Sequence, residues 1–144
     1  SSRPNSLLTE SVDTWLKLLN DNDFTEMLVD NCKRSYNGKA CKKRLKVYKL
    51  LAFVAKPKDY ERFIIQALSC KNHNAYDKLS TIKNETLVIG AGLDGILGVE
   101  ASYEIHNEIK GSKLVIFEEY SHGVYEENRE FSKIILKFLK SNNL

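Results

Sequence analysis

The chain has 144 residues, 42% hydrophobic and 28% charged, the composition of one globular domain long enough to bury a core. A net charge of +3 is too small to point to a nucleic-acid partner. No apolar run approaches the roughly 20 residues that cross a bilayer, so no membrane partner is expected.

The first half reads as helices. Asn5 or Ser6 caps a helix with Leu7, Leu8, Val12, Trp15, Leu16 and Leu19 on one face. Asn20-Asp21-Asn22-Asp23 is a turn. Phe24, Met27, Leu28 and Tyr36 mark a second helix that ends near Asn37-Gly38. A third helix covers Ala40 to Val54, with Leu45, Tyr48, Leu51 and Ala52 facing inward. Pro57 suits the first turn of a fourth helix, where its missing N–H costs nothing. Tyr60, Phe63, Ile64, Ala67 and Leu68 form the apolar face of that helix, and Ala75 to Leu79 adds a short turn. At residue 85 the pattern changes. Thr86 to Gly90 reads as a strand, about Val99 to Ile109 as a helix, and Lys113 to Phe117 as a second strand. A final helix, about Glu127 to Leu139, carries Phe131, Ile134, Ile135, Phe138 and Leu139 at helical spacing. The fold class is therefore α/β: a block of about four helices over 1–84, then a βαβα unit with parallel strands over 85–144.

Both strands are apolar on both faces, as in a parallel sheet covered by helices on two sides. Two strands alone make a marginal sheet with unpaired edges. Further strands are expected from a preceding segment of chain, a partner chain or a second copy of this chain, and a homo-oligomer is expected.

The first strand runs into Gly90-Ala91-Gly92-Leu93-Asp94-Gly95, and the second ends in Glu118-Glu119-Tyr120-Ser121-His122-Gly123. Two readings compete. Gly90, Gly92 and Gly95 match G-x-G-x-x-G, following a strand and opening a helix. Glu118 stands 23 residues beyond, where a ribose-binding acid of a dinucleotide (NAD or FAD) site belongs. Against this, Asp94 would set a carboxylate beside the pyrophosphate, and Ser121-His122-Gly123 would have no role. The other reading is an acid and a base. Asp94 and His122 are 28 residues apart, the length of one crossover, and can meet at one edge of a parallel sheet. The carboxylate would fix the imidazole tautomer and stabilise the imidazolium formed when His122 takes a proton from a serine. No two of the seven glycines stand four apart, so the chain holds no Gly-x-Ser-x-Gly elbow. The order Ser…Asp…His then fits a nucleophile upstream of residue 1.

Thr86 to Asp94, Gly98-Val99-Glu100-Ala101-Ser102, Leu114 to Phe117, Ser121-His122-Gly123 and the closing helix resemble the C-terminal part of the α/β-hydrolase family. The four helices resemble that family's helical cap, and Ser1 to Asn5 resembles the end of the strand that enters it. The resemblance implies that Asp94 is the catalytic acid and His122 the catalytic base. It implies that the nucleophile and the oxyanion-hole loop lie upstream, so that this portion alone is inactive. The implied activity is serine-type hydrolysis of an ester or related small acyl substrate, with no cofactor. A non-catalytic interaction module is the remaining alternative.

The other chemistry-bearing residues have plainer readings. Cys32, Cys41 and Cys70 are odd in number, lack metal-ligand spacing, and read as reduced thiols of a cytoplasmic protein without a metal site. Ser1 to Asn5 is no signal peptide, since no basic region is followed by an apolar one. Asn84-Glu85-Thr86 is a glycosylation sequon by chance. His73 reads as a loop residue and His106 as part of an exposed helix face. Trp15, Tyr48, Tyr60 and Phe63 read as core of the helical block, with a lining of an acyl pocket as the alternative. Lys33 to Lys49 holds eight basic residues and no acid, a solvated face or a dock for an anionic substrate or acidic partner.

Overall fold

A computed structural model describes residues 1–141. Helix α1 spans Ser6–Asn20 and begins where the Asn5 side chain accepts the Leu8 N–H at 2.9 Å. Its buried face is Leu8, Ser11, Val12, Trp15 and Leu19. Helix α2, Phe24–Ser35, is capped by Asp23, which accepts the Glu26 N–H at 3.0 Å. It stops at Tyr36, whose backbone is extended. Gly38 does not end α2 as expected: it opens α3, Gly38–Val54, with φ of +49°. Helix α4 is Glu61–Asn72 and starts later than Pro57 suggests. Asp59 accepts the Glu61 N–H at 3.2 Å and sets the start there, leaving Pro57 in the connection.

Leu8, Val12, Trp15, Leu19, Met27 and Ala67 form one core, closed by Ile96 from beyond the first strand. Phe63 meets Trp15 edge-on at 6.3 Å, and Tyr60 stacks on Phe24 at 5.6 Å. Helix α3 contributes less than its pattern predicts. Only Ala52 is buried, and Leu51, expected inside, is exposed with Val47, Leu50, Phe53 and Val54. Leu68 of α4 is likewise exposed.

A 3₁₀ segment, Tyr76–Thr81, leads to strand β1, Leu87–Ala91. Strand β2, Lys113–Phe117, pairs with it in parallel, from Leu87 opposite Lys113 to Ala91 opposite Phe117. The crossover is helix α5, Glu100–Glu108. The expected last helix is α7, Arg129–Ser141, and a short helix not foreseen, α6, Val124–Glu127, precedes it. Asn128 divides them, because its side chain accepts the Glu130 N–H at 2.8 Å and starts α7 afresh. Leu114 to Phe117 are only half-buried, and no residue of α7 is buried, although Phe131, Ile134, Ile135 and Phe138 share a face. Among the described residues, no helix is long and apolar enough to cross a membrane.

Candidate active site

Backbone hydrogen bonds fix where Asp94 and His122 lie. Beyond β1 the chain stays bound to the chain beyond β2: Gly92 N–H donates to Phe117 O at 3.0 Å, and Leu93 N–H to Tyr120 O at 2.9 Å. A Cβ on Gly92 would lie 2.5 Å from the Glu118 carbonyl oxygen, so only glycine allows the two loops this approach. Both loops therefore leave the same edge of the parallel pair side by side.

Asp94 sits in a turn in which its Oδ1 accepts the Ile96 and Leu97 N–H groups at 2.8 and 2.9 Å. Its Oδ2 lies 2.9 Å from His122 Nδ1. An ionised carboxylate only accepts, so Nδ1 carries the proton and Nε2 is the basic nitrogen. Nε2 makes no hydrogen bond among the described residues. The Asp94 side chain is 11% exposed and the His122 side chain 36%, so the acid is sheltered and the base opens to solvent. Burial pushes the Asp94 carboxyl up. The bonds from His122, Leu97 and Ile96 outweigh burial and hold it below its ordinary value of 3.8.

That depression has a consequence for stability. A carboxyl with a lowered folded-state pKa stabilises the fold above its unfolded value, and this is lost as pH falls through the folded value. The stability gap between the protein and Asp94→Asn is therefore expected to shrink as pH drops from about 6 to about 3, measured by urea denaturation. A gap that stays constant would show that the carboxylate is not what the loop binds.

The glycines expected to open a helix do not. Helix α5 starts at Glu100, and Gly92 to Val99 is irregular. The chain does not enter a helix directly after Gly95, where the start of that helix would receive a pyrophosphate. Gly90 packs on Ser102 and Ile116, Gly92 on Glu118, and Gly95 on Arg34, so close packing accounts for all three.

No family model and no curated protein matches the chain. Among the solved structures that share its shape are two hydrolases. An esterase (EaEST) from Exiguobacterium antarcticum superposes with a TM-score of 0.75 at 22% identity, over 91% of this chain and 48% of that one. MGS-M2, an α/β-hydrolase enzyme from a Medee basin deep-sea metagenome library, superposes at 0.82 and 18% identity, over 96% of this chain and 53% of that one. The fold is that of an α/β-hydrolase. The chain spans about half the length of each, and its helical block and βαβα unit form the C-terminal portion of that fold.

In this α/β-hydrolase fold, His122 borders a cleft of about 560 Å³ between the helical block and the sheet edge. Trp15, Tyr48 and Phe63 line it, as do Leu8, Val12 and Leu97. Tyr60 does not, being turned to Phe24. A second cleft of about 260 Å³, on the strand side, is bordered by Asp94, His122, Gly90 and Ser102. His73 is exposed. His106 is not on an open face: it is half-buried, and Nδ1 shares a 2.7 Å hydrogen bond with Ser112 Oγ. Cys32, Cys41 and Cys70 are free thiols. Among the described residues, no group of three or more side chains is arranged to hold a metal. Sequence reading missed Tyr36 and Glu126 at the cleft. Tyr36 carries no local signal beyond that of an apolar helix position.

Proposed function

We propose that the chain is the cap and C-terminal portion of a serine-type hydrolase acting on an ester or related small acyl substrate. The single observation that carries this is the Asp94–His122 pair, oriented through Nδ1 with Nε2 unoccupied, whose histidine borders a cleft walled in part by Leu8, Val12, Trp15 and Phe63. In this reading His122 is the general base that takes the proton of an attacking serine, then the acid that gives it to the leaving group. Asp94 holds the tautomer and stabilises the imidazolium. Residues 1–84 form the cap whose Trp15 and Phe63 wall receives the apolar part of the substrate, and 85–144 supply acid and base. The serine and the oxyanion donors come from chain preceding Ser1, and the protein is cytoplasmic. Residues 1–144 alone are expected to give no turnover of a short-chain aryl ester, whereas the chain extended upstream is expected to hydrolyse it. Absence of turnover in the extended, folded protein would end this reading.

Half-buried β2 and the half-buried apolar face of α7 support a second element of the proposal. The sheet is completed by that preceding segment or, in its absence, by a second copy of the chain. Residues 1–144 by themselves are expected to elute in size-exclusion chromatography as a dimer or larger. A stable monomer would contradict the exposed-edge argument.

A further inference from the structure

Two loops carry Asp94 and His122, and one corner of the helical block binds both. At the α2–α3 junction, the Arg34 carbonyl accepts the Gly95 N–H at 3.3 Å, one residue past the acid. The next carbonyl, Ser35, accepts the Gly123 N–H at 2.8 Å, one residue past the base. Asn37 stands where it would cap α3, yet makes no capping bond. Its amide donates instead to the Glu119 carbonyl in the His122 loop, at 3.0 Å. Between these, the Tyr36 ring lies against Gly123 so closely that a Cβ there would enter the ring. The Tyr36 hydroxyl donates to Glu126 Oε2 at 2.8 Å, just beyond the His122 loop. Arg44 closes the knot, pairing with the same Glu126 oxygen at 2.9 Å and lying 4.1 Å over the Tyr36 ring. Burial and the Glu126 carboxylate both push the Tyr36 hydroxyl up, so it stays a donor.

The corner is itself held rigidly. Arg34 donates to Asp30 at 2.8 Å, Ser11 at 3.1 Å and Glu10 at 3.1 Å, which ties it to α1 and to its own helix. A fixed corner that grips the residue after the acid and the residue after the base sets the distance between them. A displacement of about 1 Å between such groups is enough to lose most of a proton-transfer advantage.

We propose that the Arg34–Asn37 corner is the positioning clamp of the Asp94–His122 pair, with Tyr36 as its central positioning residue. This rests on the reading of Asp94 and His122 as acid and base, but it makes its own claim about their geometry. The cap then does more than cover the cleft: its docking sets the alignment of the pair, and an undocked cap leaves the two loops free to part.

The test reads the pair without turnover. In proton NMR of the protein, the His122 Nδ1–H gives a resonance shifted downfield by its bond to Asp94, absent in Asp94→Asn. In Tyr36→Ala, with helix content by circular dichroism intact, exchange of that proton with water is expected to rise roughly tenfold or more. Tyr36→Phe, which keeps the ring against Gly123, is expected to restore most of the protection. Were Tyr36→Ala unfolded, the double variant Tyr36→Phe, Asn37→Ala would keep the packed ring and remove two side-chain bonds, with the same expected rise. A folded Tyr36→Ala variant, or a folded Tyr36→Phe, Asn37→Ala double variant, whose His122 proton exchanges as in the parent overturns the clamp. Hydrolysis that survives His122→Ala overturns the catalytic reading instead, and leaves the exchange result to stand by itself.

Discussion

Asp94→Asn in the catalytically complete protein is expected to lower kcat by roughly 10³–10⁴-fold with KM changed only a few-fold. The reason is a tautomer. Oδ1 of the asparagine can still accept the Ile96 and Leu97 N–H groups, so the loop keeps its shape. That leaves the amide Nδ2, a donor, facing His122 Nδ1 where Oδ2 stood. Nδ1 must then accept, the ring proton moves to Nε2, and no lone pair remains to take a proton from the serine. His122→Ala is expected to cost at least as much. The double variant should lose little more than the worse single one, because the two residues act as a unit. Steady-state kinetics on a short-chain aryl ester decides this, and unchanged turnover in the double variant would remove both roles.

Asp94 and His122 were legible because each stands just after an apolar run and the gap fits one crossover. Register and direction of the pair then follow from the parallel sheet, and the distance needs only a short loop on each side. What the sequence did not disclose is of another kind. The grip of Arg34 and Ser35 on these loops uses backbone carbonyls, which any residue type supplies. Asn37 looked like the end of one helix and is the start of another, since a positive φ at Gly38 serves either purpose. The glycines of residues 90–95 match a phosphate-binding pattern, yet each also stands where a Cβ would clash: Gly92 and Gly95 against backbone, and Gly90 against the side chains of Ser102 and Ile116. Helix α3 misled through its composition. Its apolar residues outnumber the positions that face the core, so periodicity placed Leu51 inside when only Ala52 is buried.

Trp15→Ala is the substitution expected to cost the fold most, about 3–5 kcal/mol by urea denaturation. Trp15 is 7% exposed among Leu8, Val12, Leu19 and Met27, with Phe63 against its edge. Removing the indole opens a void that these side chains, held on three helices, can only partly fill. Its Nε1–H also donates to Asp30 Oδ2 at 2.8 Å, the oxygen that accepts Arg34 Nε at 2.8 Å. Trp15→Phe separates the two contributions: it keeps most of the volume and loses the donor, for an expected cost of about 1 kcal/mol or somewhat more. A loss under about 1 kcal/mol in Trp15→Ala would show that the helical core is not anchored there. Because Asp30 orients Arg34, and the Arg34 carbonyl holds the residue after Asp94, the Trp15→Phe variant should also speed exchange of the His122 ring proton, though less than Tyr36→Ala does. A change in the middle of the helical block would thus be read at the acid–base pair, through one tryptophan, one carboxylate and one arginine.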